Sequence, residues 1–380
     1  MKILSIVGAR PNFMKVAPFI RAINNYNKIS NSEYIQHLLV HTGQHYDDRM
    51  SKKFFEELEI PEPDINLGIG SGSHAEQVGY SMIALEKVLQ HEKPDWVVVF
   101  GDVNATLSAS LAAKKLWINL CHIEAGLRSG DMKMPEEINR LVTDRLSDLL
   151  LTPDLISSLN LLKEGIPEYK IKHVGNIMID TLDANLNKAS QLDPDEILAR
   201  NHKSGKKILS EHYALMTLHR PSNVDVEEVF SAIVQFLLDE IAFKHHLIWP
   251  VHPRAFKQLV KFGLLDKVAT HPGITLLEPL SYLEMLRLNK DADIMLTDSG
   301  GLQEECTVLG TPCLTLRSST ERPVTLRQYG GVSVLVGNNI ESIRKEYFQT
   351  LNQERKPVRP YLWDGKTAER CLNEILNYSH

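Results

Sequence analysis

The sequence lacks the marks of several protein classes. Only four of its 380 residues are cysteine: Cys121, Cys306, Cys313 and Cys371. None forms a C-x-x-C pair, which removes zinc-ribbon and dithiol-redox readings and leaves four reduced, buried thiols as the expectation. Positive charge is not in excess: 42 Lys and Arg against 48 Asp and Glu give a formal net charge of −6. No global field therefore points to nucleic acid or to an anionic membrane. The longest apolar stretches, such as Trp96–Phe100, are short, whereas a bilayer span needs about 20 residues. No G-x-G-x-x-G follows a strand, so a dinucleotide fingerprint is absent. Short repeats and low-complexity tracts are absent too. What is present is ordinary for a soluble globular chain, with 43% hydrophobic and 24% charged residues. At roughly 150 residues per domain, this length predicts two domains. The opening MKILSIVGAR reads as a buried strand rather than a signal peptide, and a cytoplasmic protein is expected.

Short β-rich runs alternate with longer segments of helical period. Residues 3–7 (ILSIV) stop at Gly8, and a helical pattern follows over 11–26. Residues 34–41, Trp96–Phe100, 120–124 and Leu149–Thr152 read as further strands. Their hydrophobicity is continuous rather than alternating, which marks a parallel sheet covered on both faces. The pattern then restarts, with strands expected at 215–218, 246–251, 274–276, Ile294–Thr297 and 313–316 and a helix at 226–238. Two doubly wound α/β domains follow. The boundary is expected near 174–176, giving domains 1–174 and 175–365. The last helix, 366–377, carries Ala368, Cys371, Leu372, Ile375 and Leu376 on one face and must dock.

In open α/β sheets ligands bind at the carboxyl ends of strands, and polar residues gather at those points. Gly8 is followed by Arg10 near a helix start and Lys15 one turn inside, an arrangement suited to a phosphate. The loop HTGQHYD holds His41, Gln44, His45 and Asp47, open to substrate or effector contact, metal binding or a structural role. Asp102 ends the WVVVF strand, where helix capping is the competing reading. Glu124 ends another strand and has no capping role to explain it. Glu136 begins a helix, where a carboxylate also suits the dipole, and Arg140 lies four residues on, on the same face. Asp102, Glu124 and Glu136 suit acid–base work. In the second half His219 ends a strand. Ser299, Gly300 and Gly301 then open a helix where backbone can approach a diphosphate. Glu305 lies just over a turn further, within reach of a ribose diol, and Arg322 brings another guanidinium.

GARPNFMK, HTGQHYD, GDVNATLS, HIEAGLRS, MPEEINR, VGN, LHRPSN, TDSGGLQEE and TERP occur in this order along the chain. In this the sequence resembles the non-hydrolysing UDP-N-acetylglucosamine 2-epimerases. The resemblance implies a GT-B-like α/β fold: two Rossmann-type domains facing a cleft, with helix 366–380 crossing back to the first. It implies cofactor-independent, metal-free inversion at C2 of a UDP-sugar, through loss of UDP to 2-acetamidoglucal and re-addition. Arg10, Lys15, His219, Asn223, Ser299, Gly300, Gly301, Glu305 and Arg322 would then hold the UDP-sugar. Asp102, Glu124, Glu136, His219, Lys15 and Arg140 would serve the chemistry. Gln44 and His45 would mark an effector loop, and the protein would be a homodimer without nucleic-acid or membrane partners. Asn12 stands where the family commonly has Glu. Alternative readings are a 2-epimerase of a modified UDP-sugar such as a diacetamido-uronate, a hydrolysing epimerase and a GT-B glycosyltransferase.

Overall fold

The computed structural model describes residues 1–29, 34–43, 56–351, 353 and 355–378, without the side chain of Arg10. It divides into two compact units: residues 1–184 with 360–380, and residues 185–359.

The first unit is built on a sheet of seven strands. They are β1 (Lys2–Val7), β2 (Gln36–His41), β3 (Ile65–Asn66), β4 (Trp96–Phe100), β5 (Asn119–Ile123), β6 (Leu149–Thr152) and β7 (Ile171–His173). Their order is β3-β2-β1-β4-β5-β6-β7, with every neighbour parallel. The strand order reverses between the parallel neighbours β1 and β4, the Rossmann switch point, where carboxyl-end loops diverge and leave room for a ligand. All five residues of β4 are buried, as its unbroken β-branched run requires when helices cover both faces.

The second unit repeats this plan with β8 (His202–Ser204), β9 (Tyr213–Thr217), β10 (His246–Pro250), β11 (Ile274–Leu277), β12 (Ile294–Thr297), β13 (Cys313–Thr315) and β14 (Ser333–Leu335). The order is β14-β13-β12-β9-β10-β11-β8, and only the edge strand β8 runs antiparallel. Its switch point lies between β9 and β12. One core layer packs Phe230, Trp249 and Tyr347, none more than 1% exposed. Burial of side chains of this size stabilises by about 1.5–3 kcal/mol each. The expectation of two doubly wound parallel sheets is met.

The units divide inside the helix Ile177–Ser190, beyond the expected boundary at 174, and residues 360–365 belong with the first unit. Local chemistry explains this. The helix Arg10–Ile29 contains Pro18, which has no N–H for the Met14 carbonyl. The Thr181 hydroxyl donates to that carbonyl instead. Asp180 accepts from the backbone N–H groups of Thr367 (3.1 Å) and Ala368 (2.7 Å), capping the last helix, Thr367–Leu376. Burial pushes the Asp180 carboxyl up to about 6. The Trp363 indole donates to the Pro153 carbonyl at 2.9 Å. The chain's end therefore completes the first unit. Among the described residues no helix is long and apolar enough to cross a membrane.

Candidate active site

The predicted polar residues collect in two clusters, one at the carboxyl edge of each sheet. In the first unit β1 passes into the helix Arg10–Ile29 through Gly8 and Ala9. Asn12 accepts from both their N–H groups (3.0 and 3.2 Å) and donates to the Phe100 carbonyl at 2.8 Å. The residue that departs from the common family pattern is thus a buried brace between the ends of β1 and β4. One helical turn on, Lys15 reaches Glu124 in an ion pair whose side chains are 6% and 2% exposed.

Glu124 has φ +75°, a left-handed conformation that costs a non-glycine residue about 1–2 kcal/mol. Both Glu124 and Ala125 donate their backbone N–H to the Leu151 carbonyl at 3.0 Å, which holds the turn. Strain kept at a strand end next to a buried charge is a mark of a functional position. Gly101, with φ +61°, makes the space: a Cβ there would lie 2.5 Å from the Lys15 Nζ.

Asp102 follows, partly exposed, and pairs with Arg140. Arg140 is otherwise bound by Glu137, through Nη2 at 2.6 Å and Nε at 3.0 Å. Here the expected face is corrected. Glu136 is exposed on the first turn, and it is Glu137 that lies inward with Arg140, three residues on. Each residue turns the helix by about 100°, and the buried face runs through Glu137, Arg140 and Asp144. Burial pushes the Glu137 carboxyl up, but N–H donors from Ser129 and Gly130 and the Arg140 guanidinium outweigh it and leave it below its ordinary range. Among the described residues the Glu136 carboxylate makes no hydrogen bond or ion pair, and the residue is exposed. The competing helix-cap reading of Asp102 does not apply: Val103 is the cap residue of the helix Asn104–Lys115 and makes no side-chain bond.

In the second unit Asp298, fully buried at the end of β12, organises the cluster. It accepts from the backbone N–H groups of His219 (3.1 Å) and Arg220 (2.8 Å), and from the Asn223 amide (3.0 Å). His219 Nδ1 lies 2.8 Å from its carboxylate. Burial raises the Asp298 carboxyl, yet His219 and the N–H donors outweigh this and hold it below the usual range. With Nδ1 committed, His219 presents Nε2 outward from a side chain that is 39% exposed. Asn223, expected as a substrate ligand, is 1% exposed, and its amide donates to Asp298 and to the Leu316 carbonyl at 2.9 Å. The structure places it behind the surface as a brace.

Ser299 is the cap position of the helix Gly300–Leu309 and makes no side-chain capping bond. The first-turn N–H groups there suit an anion. A Cβ on Gly300 would lie 2.5 Å from Arg322 Nη1 and 2.8 Å from Glu321 Oε1, so a side chain there would displace the ends of both. Gly301 continues the first turn. Arg322 pairs with Glu304 (2.9 Å) and with Glu321, which in turn pairs with Arg317 at 2.5 Å. Two guanidinium groups and two carboxylates thus form a buried ladder that aligns Arg322.

Glu305 faces the other way, toward Tyr282 and Asn289. Burial, with Glu304 beside it, pushes its carboxyl up to about 8. Below its unfolded value the group is protonated in both states. As pH rises the unfolded carboxyl ionises first, so this stabilisation is lost up to about 8. Glu305→Gln, which cannot ionise, is expected to gain melting temperature relative to the parent as pH rises from about 5 to about 8. A melting series across that range checks it, and a constant difference contradicts it.

His41, described at the end of β2, accepts the Gly43 N–H at 2.9 Å through Nδ1. Gln44 and His45 lie outside the described residues, as does the side chain of Arg10. Sequence reasoning missed Asp298, Glu137, Glu304 and Glu321 as organising residues. The acidic doublets 136–137 and 304–305 were the available signal.

A family model described as UDP-N-acetylglucosamine 2-epimerase matches residues 27–376. A UDP-N-acetylglucosamine 2-epimerase of Methanocaldococcus jannaschii is 44% identical over 379 residues, covering 100% of this chain and 99% of that protein. A crystal structure of the M. jannaschii UDP-GlcNAc 2-epimerase with UDP-GlcNAc and UDP matches at TM-score 0.88 and 44% identity, over 100% of both chains. A UDP-2,3-diacetamido-2,3-dideoxy-D-glucuronate 2-epimerase of Pseudomonas aeruginosa is 37% identical over 384 residues, 99% of each. A lipopolysaccharide outer core galactosyltransferase, 14% identical over 99% of each chain at TM-score 0.52, shares the GT-B-like fold. The family model over residues 27–376 agrees with relatives and structures that cover the whole chain, and the chain belongs to the UDP-N-acetylglucosamine 2-epimerase family.

Proposed function

We propose that this chain interconverts UDP-GlcNAc and UDP-ManNAc without a cofactor and without net hydrolysis. The observation that carries the reading is Glu124, held in a strained backbone conformation against Lys15 beside Asp102, in a chain 44% identical to a UDP-N-acetylglucosamine 2-epimerase.

The C2–H of the sugar is not acidic in the intact substrate. Departure of UDP from C1 leaves an oxocarbenium-like centre, and the neighbouring C2 proton becomes removable. The pair held would be UDP and 2-acetamidoglucal, and protonation on the opposite face with re-addition of UDP inverts C2. Negative charge grows on the departing diphosphate, so preformed donors there stabilise the transition state most. The N–H groups of the Gly300 turn and the Arg322 guanidinium are such donors, with Arg10 added by the resemblance; His219 Nε2 joins them when its ring carries both protons. Asp102, Glu124 and Glu136 supply the proton acceptor and donor, with Lys15 and Arg140 balancing their charge. The resemblance gives Glu305 the ribose hydroxyls, a contact that requires its side chain to turn from Tyr282 and Asn289. The reading includes a homodimer in the cytoplasm.

Chromatography of nucleotide sugars after incubation with UDP-GlcNAc tests the proposal. UDP-ManNAc with no net rise in free UDP is expected. Accumulating UDP with free ManNAc would mean hydrolysis. The 37% relative named for a diacetamido-glucuronate supports a second reading, epimerisation of that sugar. Higher kcat/KM on the uronate would favour it.

A further inference from the structure

His122, the next-to-last residue of β5, is fully buried. Its Nε2 lies 2.8 Å from the Gly101 carbonyl, and its Nδ1 lies 2.6 Å from Asp144 Oδ1. A peptide carbonyl only accepts, so Nε2 carries a proton. Asp144 Oδ2 already takes the Gly126 N–H at 3.1 Å and Arg128 Nη1 at 2.7 Å, which keeps the carboxylate ionised. An ionised carboxylate also only accepts, so Nδ1 carries a proton as well. We propose that His122 is a buried imidazolium that positions the corner at Gly101 and Asp102.

Charge balance supports it. His122, Asp144, Arg128 and Glu164 form a chain of alternating sign, with Arg128 gripping Glu164 through Nε and Nη2 at 2.7 Å each. A buried charge persists only where it is paired and hydrogen-bonded in this way. The charged groups on surrounding elements are Asp144 from the helix Pro135–Leu146, Arg128 from the segment after β5, Glu124 beyond the strand's end with Lys15, and Asp102 after β4. With Arg140, Glu137 and Glu164 included, three cations face five carboxylates, so an imidazolium at His122 brings the cluster from −2 to −1.

The consequence for geometry is direct. Gly101 is held by β5 through both its backbone groups: its N–H donates to the Ile123 carbonyl at 3.1 Å, and its carbonyl accepts from His122. These two bonds set where Asp102 lies and keep Gly101 against the Lys15–Glu124 pair. His122 is therefore a positioning residue, and this catalytic consequence rests on the proposed epimerase reading. Its protonation state does not.

Proton–nitrogen correlation spectra of the histidine rings in the 15N-labelled protein at neutral pH test the charge. His122 is identified by comparison with His122→Asn, or with Asp144→Asn if that variant does not fold. Two protonated ring nitrogens with exchange-protected N–H signals are expected. One unprotonated nitrogen overturns the imidazolium. For the positioning role, His122→Gln is expected to lower kcat about 10²-fold with KM and UDP affinity within about threefold. Unchanged kcat, or parallel loss of UDP binding, overturns it. A parent protein that binds UDP but turns over neither sugar would sink the epimerase reading alone, and the spectra would still decide the charge.

Discussion

Glu124→Gln is expected to lower turnover of UDP-GlcNAc by about 10²–10⁴-fold while UDP affinity stays within about threefold. The amide keeps the size of the side chain and its left-handed backbone, and removes only charge and basicity. Lys15 then stays buried without its counter-charge, with a stability loss of about 3–5 kcal/mol. Lys15→Met combined with Glu124→Gln removes the stranded cation, so stability recovers while turnover does not. Steady-state kinetics, UDP calorimetry and denaturant melts on both variants check this. Turnover near the parent's in Glu124→Gln would place the chemistry elsewhere.

The second large effect is expected at Asp298. Asp298→Ala leaves the His219 and Arg220 backbone N–H groups and one Asn223 donor without their acceptor. A fully buried donor so orphaned costs about 1–3 kcal/mol, and with the Asn223 donor buried and the two backbone donors part-buried the loss is about 3 kcal/mol. For a unit spanning residues 185–359 this lowers the melting temperature by about 6–12 °C. Loss of the Nδ1 contact also frees the His219 ring, and turnover is expected to fall about 10²-fold. A melting temperature within 2 °C of the parent, on a scale of about 2–4 °C per kcal/mol, would contradict the role given to Asp298.

Much of the fold is legible because burial on both faces writes itself into residue choice. The run WVVVF becomes a central strand, and Gly8 and Gly101 mark where strands give way to loops. The short strands β3, β7, β8 and β14 carry only two or three residues each, too few to show a period, and were not anticipated. They exist because neighbours supply the ladder.

The site was legible as positions at strand ends, less so as contacts. In the doublet at 136 and 137 the residue chosen as Arg140's face partner is one helical step from the residue that packs inward. Helical phase relative to the sheet decides which glutamate faces in, and nothing local in PEEINR sets that phase. His122 was hidden for a related reason. Within NLCHI it reads as one more strand residue, and its two partners come from segments 21 and 22 residues away. Asp298 lies inside a stretch that was singled out, but its partners come from β9's end, 75 to 79 residues back. Long-range polar pairing is what the sequence does not display.

The measurement that tests the central claim most directly is proton NMR of UDP-GlcNAc incubated with the protein in D2O. The account predicts UDP-ManNAc signals, with deuterium at C2 of both sugars at equilibrium and no net free UDP. UDP-ManNAc that retains protium at C2 would contradict proton exchange at that carbon. So would unchanged UDP-GlcNAc in the presence of a protein that binds UDP and epimerises no other UDP-sugar.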